Sequence, residues 1–265
     1  MHAGIIVLGS EVLHLPTSLM STTLVIQSHR QPLPFGWMQS CLDSVQSWAS
    51  ARGYGYQYLD DALFDYVDTD LHGKLREQPV IASDLARLRW MQHLLQDDCD
   101  CVIWCDADFL IFNTPEFELP SSDYALGREV WIQRDKGRLR VYPKVHNACL
   151  MFRRGNAFLD FYADTAARLL RIHRGGVPSQ FVGPKLLTAL HNIACCPVMD
   201  CAGMLSPAVM VDLLAAGGPA LDRFRRASPV IPAGANLSAS LCAREGLDEV
   251  AMSKLIALLL RRGID

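Results

Sequence analysis

Along this chain of 265 residues, hydrophobic positions fall into short unbroken runs that alternate with helically spaced stripes. Thr23-Leu24-Val25-Ile26-Gln27-Ser28-His29 is apolar first and polar last, the pattern of a buried strand that delivers its end to a site at a sheet edge. Pro32, Pro34 and Gly36 break the run, and Trp37, Met38, Cys41, Leu42, Val45, Trp48 and Ala49 then recur at helical spacing as far as Gly53. A second strand is expected where Tyr54, Tyr56 and Tyr58 alternate with smaller residues before Asp60 and Asp61. Ser83 reads as an N-cap for a helix from Asp84 to about Leu95. Val102-Ile103-Trp104-Cys105 is a strand that runs straight into Asp106-Ala107-Asp108.

Further strands are expected at Glu129 to Gln133, at Asn147 to Phe152 and, briefly, at Cys196 to Met199. Asn156 caps an amphipathic helix, Gly183-Pro184 opens another, and Leu247 to Arg262 forms the last, with Arg261 and Arg262 where the helix dipole favours cations. Helices alternating with buried strands predict an α/β fold, a mostly parallel central sheet covered by helices on both faces. Residues 1–19 read as a disordered extension, and residues 20–265 as a single domain.

Composition narrows the chemistry. Half the residues are hydrophobic, a fifth are charged, and the formal net charge is -3, so nothing attracts nucleic acid globally and any phosphate chemistry must be local. Most of the nine cysteines sit in apolar stretches, where thiols act as small hydrophobes, which favours a reducing compartment. Cys99, Cys101 and Cys105 lie on or just before a strand without the second pair that a zinc site needs. No run is long enough to span a membrane and no secretory start is visible, so the expected location is the cytoplasm. The basic clusters at Arg223, Arg225 and Arg226, and at Arg134, Lys136, Arg138 and Arg140, are ordinarily solvated surface; their functional reading is peripheral contact with a phosphorylated lipid or the inner membrane face.

The sharpest chemical signal is the pair Asp106 and Asp108 at a strand end, two oxygen donors suited to a hard cation such as manganese or magnesium bridging a diphosphate. Its bland counterpart is a solvated acidic turn. About twenty residues upstream, Asp84 and Arg87 are three apart and share a helix face; at a helix start, Asp84 can accept hydrogen bonds from sugar hydroxyls while Arg87 reaches a phosphate. An intrahelical ion pair is the plainer account of these two.

The stretch ASDLARLRWMQHL followed by VIWCDADFLIFN resembles the sugar-binding DxD region of glycosyltransferase family 32 and its relatives, which include the clostridial glucosylating toxins. Residues 25–29 with Trp37 and residues 41–45 resemble that family's first strand and helix, residues 146–152 its central segment, and Gly183-Pro184-Lys185 its GP-rich helix start. The resemblance covers roughly residues 22–195. It implies a GT-A nucleotide-binding fold and a metal-dependent enzyme that transfers a hexose with retention, from a nucleotide-diphosphate sugar to a saccharide or glycolipid acceptor. A uridine diphosphate donor is favoured over a guanosine one.

Carried over, Asp84 would hold donor-sugar hydroxyls, Arg87 the sugar or phosphate, Asp106 the ribose, sugar or metal, and Asp108 the metal directly. Gln27 and His29 would lie near the base, His146 or Asn147 near the reacting sugar, and Gly183 and Lys185 on the donor side. The family's C-terminal metal-binding histidine has no counterpart, since no histidine follows His191; Asn236 or Ser238 is the expected substitute. Two rival readings remain: a haloacid-dehalogenase-type phosphatase with Asp106 as nucleophile, which lacks its expected later acidic motif here, and a nucleotide-sugar-binding domain without turnover.

Overall fold

A computed structural model describes residues 22–97, 99–242 and 245–264; the extension expected at residues 1–19 lies outside the described residues. The chain opens with strand β1 (Thr23–Ser28), helix α1 (Met38–Ala51) and strand β2 (Gly55–Leu59), parallel to β1. Gly53, at φ +70°, makes the left-handed turn that releases α1 into β2. Two 3₁₀ turns and the short α2 (His72–Leu75) lead to the long α3 (Pro79–Asp97). Strands β3 (Cys101–Cys105), β4 (Phe109–Ile111), β5 (Tyr124–Asp135) and β6 (Arg138–Arg153) follow. Then come α4 (Ala157–Ile172), α5 (Pro184–Ala194), β7 (Val198–Met199) and β8 (Ala202–Met204). The chain continues through α6 (Pro207–Leu214), α7 (Pro219–Ala227), β9 (Gly234–Asn236), α8 (Ala239–Cys242) and α9 (Glu249–Arg262).

The main sheet has the order β2-β1-β3-β6-β5-β7, and β6 alone runs against the other five strands. This is the mostly parallel α/β sheet that the pattern predicts. A second sheet, β4-β9-β8, packs beside it, with Ala202 of β8 hydrogen-bonded to His146 of β6. All of β3 is buried because both sheet faces are covered. Val102 and Trp104 pack with α3 and α4 on one side, while Cys101, Ile103 and Cys105 pack with Val45 and Trp48 of α1 on the other. A third core joins α6, α7 and α9 to the start of α1 and to Val130 and Ile132 of β5.

Several boundaries differ from expectation, and the reasons are local. Helix α3 begins at Pro79, whose fixed φ suits a first helical position, so Ser83 is not an N-cap. Its hydroxyl instead donates to the Val80 carbonyl, and Asp84 sits in the second turn, away from the helix start. The strands expected at Glu129 to Gln133 and Asn147 to Phe152 are the inner parts of one antiparallel hairpin, β5–β6, whose arms run to Asp135 and Arg138. Arg134, Lys136, Arg138 and Arg140 therefore occupy its tip rather than a loop beyond a strand. The strand expected from Cys196 shrinks to Val198 and Met199.

The hairpin changes register between Leu126 and Gly127. Gly127 is required there, since a Cβ would enter the ring of His146. Beyond this irregularity the hairpin leaves β3 behind: β3 pairs only with Cys149–Arg153 of β6. The outer half of the hairpin thus rises past the C-terminal end of β3 as a wall.

Candidate functional site

The wall and the end of β3 enclose a cleft of about 660 Å³, within the span of small-molecule sites. Its floor is built from α3 and β3. Arg87, buried in α3, spends its guanidinium almost wholly on fixing neighbours. Nη1 donates to Asp106 Oδ1 at 2.8 Å and to the Asn147 carbonyl at 3.0 Å, Nε donates to the Ser83 carbonyl, and Nη2 lies 3.2 Å from Asp84 Oδ1. The guanidinium also stacks 4.8 Å from the centre of the Trp104 ring, whose Nε1 donates to Asp106 Oδ1 at 2.6 Å. Burial pulls the Arg87 pKa down, but Asp106 and Asp84 outweigh it and hold the cation charged.

Asp84 accepts a second hydrogen bond at Oδ1, from Asn147 Nδ2 at 2.8 Å, while its buried Oδ2 has no hydrogen-bond partner. Burial pushes this carboxyl up to about 6 against the opposing pull of Arg87 and Asn147. Gly183 is packed so closely that any Cβ would strike the Asp84 carboxylate. Asp108 is stitched to the chain after β9: Oδ1 accepts from Asn236 Nδ2 at 2.5 Å, Oδ2 accepts from the Ala239 N–H at 2.8 Å, and its carbonyl accepts from the Leu237 N–H. Burial, then the neighbouring Asp106, pushes Asp108 up to about 6. Asp84 and Asp106 thus share one guanidinium while Asp108 has no cationic partner, and the excess negative charge suits a bound cation.

Of the residues expected from sequence, Asp84, Arg87, Asp106, Asp108, Asn147, Lys185 and Asn236 line the cleft together. Gln27 does not. It is fully buried at the end of β1, its Nε2 donating to the Asp106 carbonyl and its Oε1 accepting from Tyr56, so it braces the aspartate loop from behind. His29 points at the Arg30 carbonyl at the rim of β1. His146 is also sealed inside, between the Ala202 carbonyl and the Ala148 N–H, and burial drops its pKa to about 4, which keeps it neutral.

Asn236 turns its amide N–H to Asp108 and its oxygen to the Ser238 N–H, so its side-chain oxygen is already committed. Among the described residues no three histidine, cysteine or acidic side chains converge on one point. The free donor is Asp106 Oδ2, which takes no hydrogen bond from a described residue, with Asp108 beside it. Two carboxylates with water and substrate phosphates are what magnesium-type sites ask for, so the donor set fits a hard cation.

Sequence reading passed over Glu129, Trp131, Gln133, Tyr142 and Lys144, all of which line the cleft. Their signal was present as strict alternation with Val130, Ile132 and Val141, which face the core, and it becomes readable once the two strands are paired. Trp104, whose sequence signal is only that of a strand residue, contacts both Arg87 and Asp106.

No protein-family model matches the chain, and no curated protein is similar enough to match. Among solved structures, a glycosyltransferase involved in the glycosylation of the major capsid of PBCV-1 aligns over 89% of this chain and 99% of its own, at 10% identity and a TM-score of 0.45. The galactosyltransferase LgtC, solved in complex with donor and acceptor sugar analogues, aligns over 89% of this chain and 95% of its own, at 12% identity and a TM-score of 0.45. The chemistry of the site follows from the cleft residues themselves.

Proposed function

We propose that the chain is a metal-dependent, retaining glycosyltransferase of the GT-A type, similar to family 32. It moves a hexose from a nucleotide-diphosphate sugar to a saccharide or glycolipid acceptor. The carrying observation is the cluster at the C-terminal end of β3, in which Arg87 locks Asp84 and Asp106 at the floor of a cleft with Asp108 alongside. Ligands on such sheets collect beyond the carboxyl ends of the strands.

Asp108 and the free oxygen of Asp106 would hold magnesium or manganese, which when bound supplies charge neutralisation for the departing diphosphate. The chain's own residues supply positioning. The unpartnered Asp84 Oδ2 is an acceptor for a donor-sugar hydroxyl, and Asn147 fixes the orientation of that carboxylate. Arg87, with most of its donors spent, is a positioning residue rather than a phosphate clamp. Besides Arg87, Lys185 and Lys144 are the cations among the described residues that line the cleft. The acceptor hydroxyl attacks the anomeric carbon on the face the diphosphate leaves: the carbon–oxygen bond to phosphate breaks, the bond to the acceptor forms, and the hydroxyl proton passes to the leaving phosphate oxygen. No strong side-chain base is required.

A thermal-shift screen of uridine and guanosine diphosphate sugars, with and without manganese, tests this reading. Metal-dependent stabilisation by one donor, with slow donor hydrolysis that Asp108→Asn abolishes, is the expected result. Release of phosphate from an aryl phosphate would instead support the phosphatase with Asp106 as nucleophile. Donor binding without hydrolysis would support a binding domain, a reading favoured by the hydrogen bonds that already occupy both Asp108 oxygens.

A further inference from the structure

The outer hairpin has two unlike faces. Val130, Ile132, Leu139 and Val141 pack onto the third core. The opposite face is built in rungs: Glu129 stands opposite Lys144, Trp131 opposite Tyr142, and Gln133 opposite Arg140; the first two pairs and Gln133 line the cleft, while Arg140 lies outside it, paired with Asp135 at 3.0 Å. Successive rungs are about 7 Å apart along a strand. The inner rung is a balanced charge pair at 3.9 Å, with Glu129 largely buried and Lys144 exposed, and Lys144 also lies 5.8 Å from the Tyr142 ring. The second rung is an aromatic pair, both members half-buried, and the indole N–H of Trp131 is already engaged by Gln133 Oε1 at 3.0 Å.

Cross-strand aromatic pairs stabilise hairpins, and that alone would account for Trp131 and Tyr142 on a face covered by another element. Here the face lines the same cleft as Asp84, Asp106 and Asn147, one rung beyond the charge pair. Apolar ring surface flanked by polar groups without net charge matches a neutral pyranose, which has an apolar C–H face and a rim of hydroxyls.

We propose that the cleft-facing side of the β5–β6 hairpin is the acceptor subsite, and that it takes a neutral saccharide by stacking a pyranose ring on Trp131 and Tyr142. Glu129 and Lys144 orient the hydroxyl-bearing ring next to the transferred sugar. This rests on the glycosyltransferase reading for the identity of the cleft floor, but the saccharide contact is measurable without turnover.

The test uses the full chain and a glycan array of neutral and anionic oligosaccharides, followed by titration of the best neutral glycan while the Trp131 indole N–H resonance is observed, assigned by its loss in Trp131→Phe. Binding of neutral glycans, movement of that resonance, and about tenfold weaker binding in Trp131→Ala and Tyr142→Ala are expected. In both variants, stabilisation by the nucleotide sugar with manganese should remain as in the unaltered chain. No glycan bound by the unaltered chain, preference for anionic glycans, or undiminished binding in folded Trp131→Ala would each overturn the proposal. If Trp131→Ala fails to fold, Tyr142→Ala carries the test: undiminished saccharide binding in folded Tyr142→Ala, or loss of binding in Trp131→Phe, which keeps a ring, overturns it. Glycan binding without donor binding would sink the transferase reading and leave this subsite standing.

Discussion

At the scale of single residues, the site is an economy of carboxylates around one guanidinium. Removing Arg87 leaves Asp84 and Asp106 facing one another without their shared partner, so Arg87→Ala should destabilise the protein by about 3–5 kcal/mol. Lysine keeps the charge but not the fork that reaches two carboxylates and two carbonyls, so Arg87→Lys should recover less than half of that loss in denaturant titrations. Full recovery by lysine would show that charge, not geometry, organises the cluster.

Asp84 supplies a pH test in the metal-free protein. Its carboxyl is raised from 3.8 to about 6, so its favourable contribution is complete below about pH 3.8 and disappears as pH climbs through 6. Asp84→Asn mimics the neutral form. It should stabilise the metal-free protein at pH 7, on the order of 3 kcal/mol, and have little effect at about pH 3. Equal effects at the two pH values, read from Tm, would mean that the carboxylate is not strained by burial.

At the scale of elements, the decisive object is the β5–β6 hairpin, and it was the least legible in the sequence. Its inner strands were visible as apolar runs, but pairing partners and direction come from long-range contacts that periodicity does not encode. The turn is marked only by Lys136-Gly137, and both residues take positive φ. The start of α3 was misjudged for a different reason: Ser83 is a good cap by type, but Pro79 had already set the helical conformation one turn earlier. The Asp84–Arg87 and Asp106–Asp108 spacings were readable because i,i+3 on a helix and alternate positions at a strand end fix relative placement locally. The sealing of Gln27 and His146 was not, since it depends on residues 29 to 79 positions away.

Gly127 links the hairpin to the body of the sheet. Gly127→Ala would force the His146 ring out of its place between β6 and Ala202. A loss of about 1–3 kcal/mol is expected, together with faster hydrogen exchange in residues 128–145. A variant as stable as the parent would place the register change under the control of other residues.

At the scale of the whole molecule, the predicted alternation of helices and strands and the covered, mostly parallel sheet are present, with β6 as the single reversed strand. The second small sheet was not foreseen, because three-residue strands carry too few positions to show a period. No helix among the described residues is long and apolar enough to cross a membrane. The cysteines are all free: most are buried, Cys201 is half-buried with its pKa pushed by burial to about 11, and Cys195 is exposed. An aromatic disulfide reagent at neutral pH should therefore consume one thiol equivalent quickly from the native protein and the remainder only on unfolding. Several fast equivalents would contradict the packing of the three cores.

The indole of Trp104 touches the floor of the cleft while its ring lies against Trp90 in the core. A native fluorophore is thereby wired to the aspartate that a ligand must disturb. Emission from the untagged protein should report occupancy in real time, and Trp104→Phe would remove the contribution of the cleft floor while leaving that of Trp131, turning an ordinary spectrometer into an assay before any product is known.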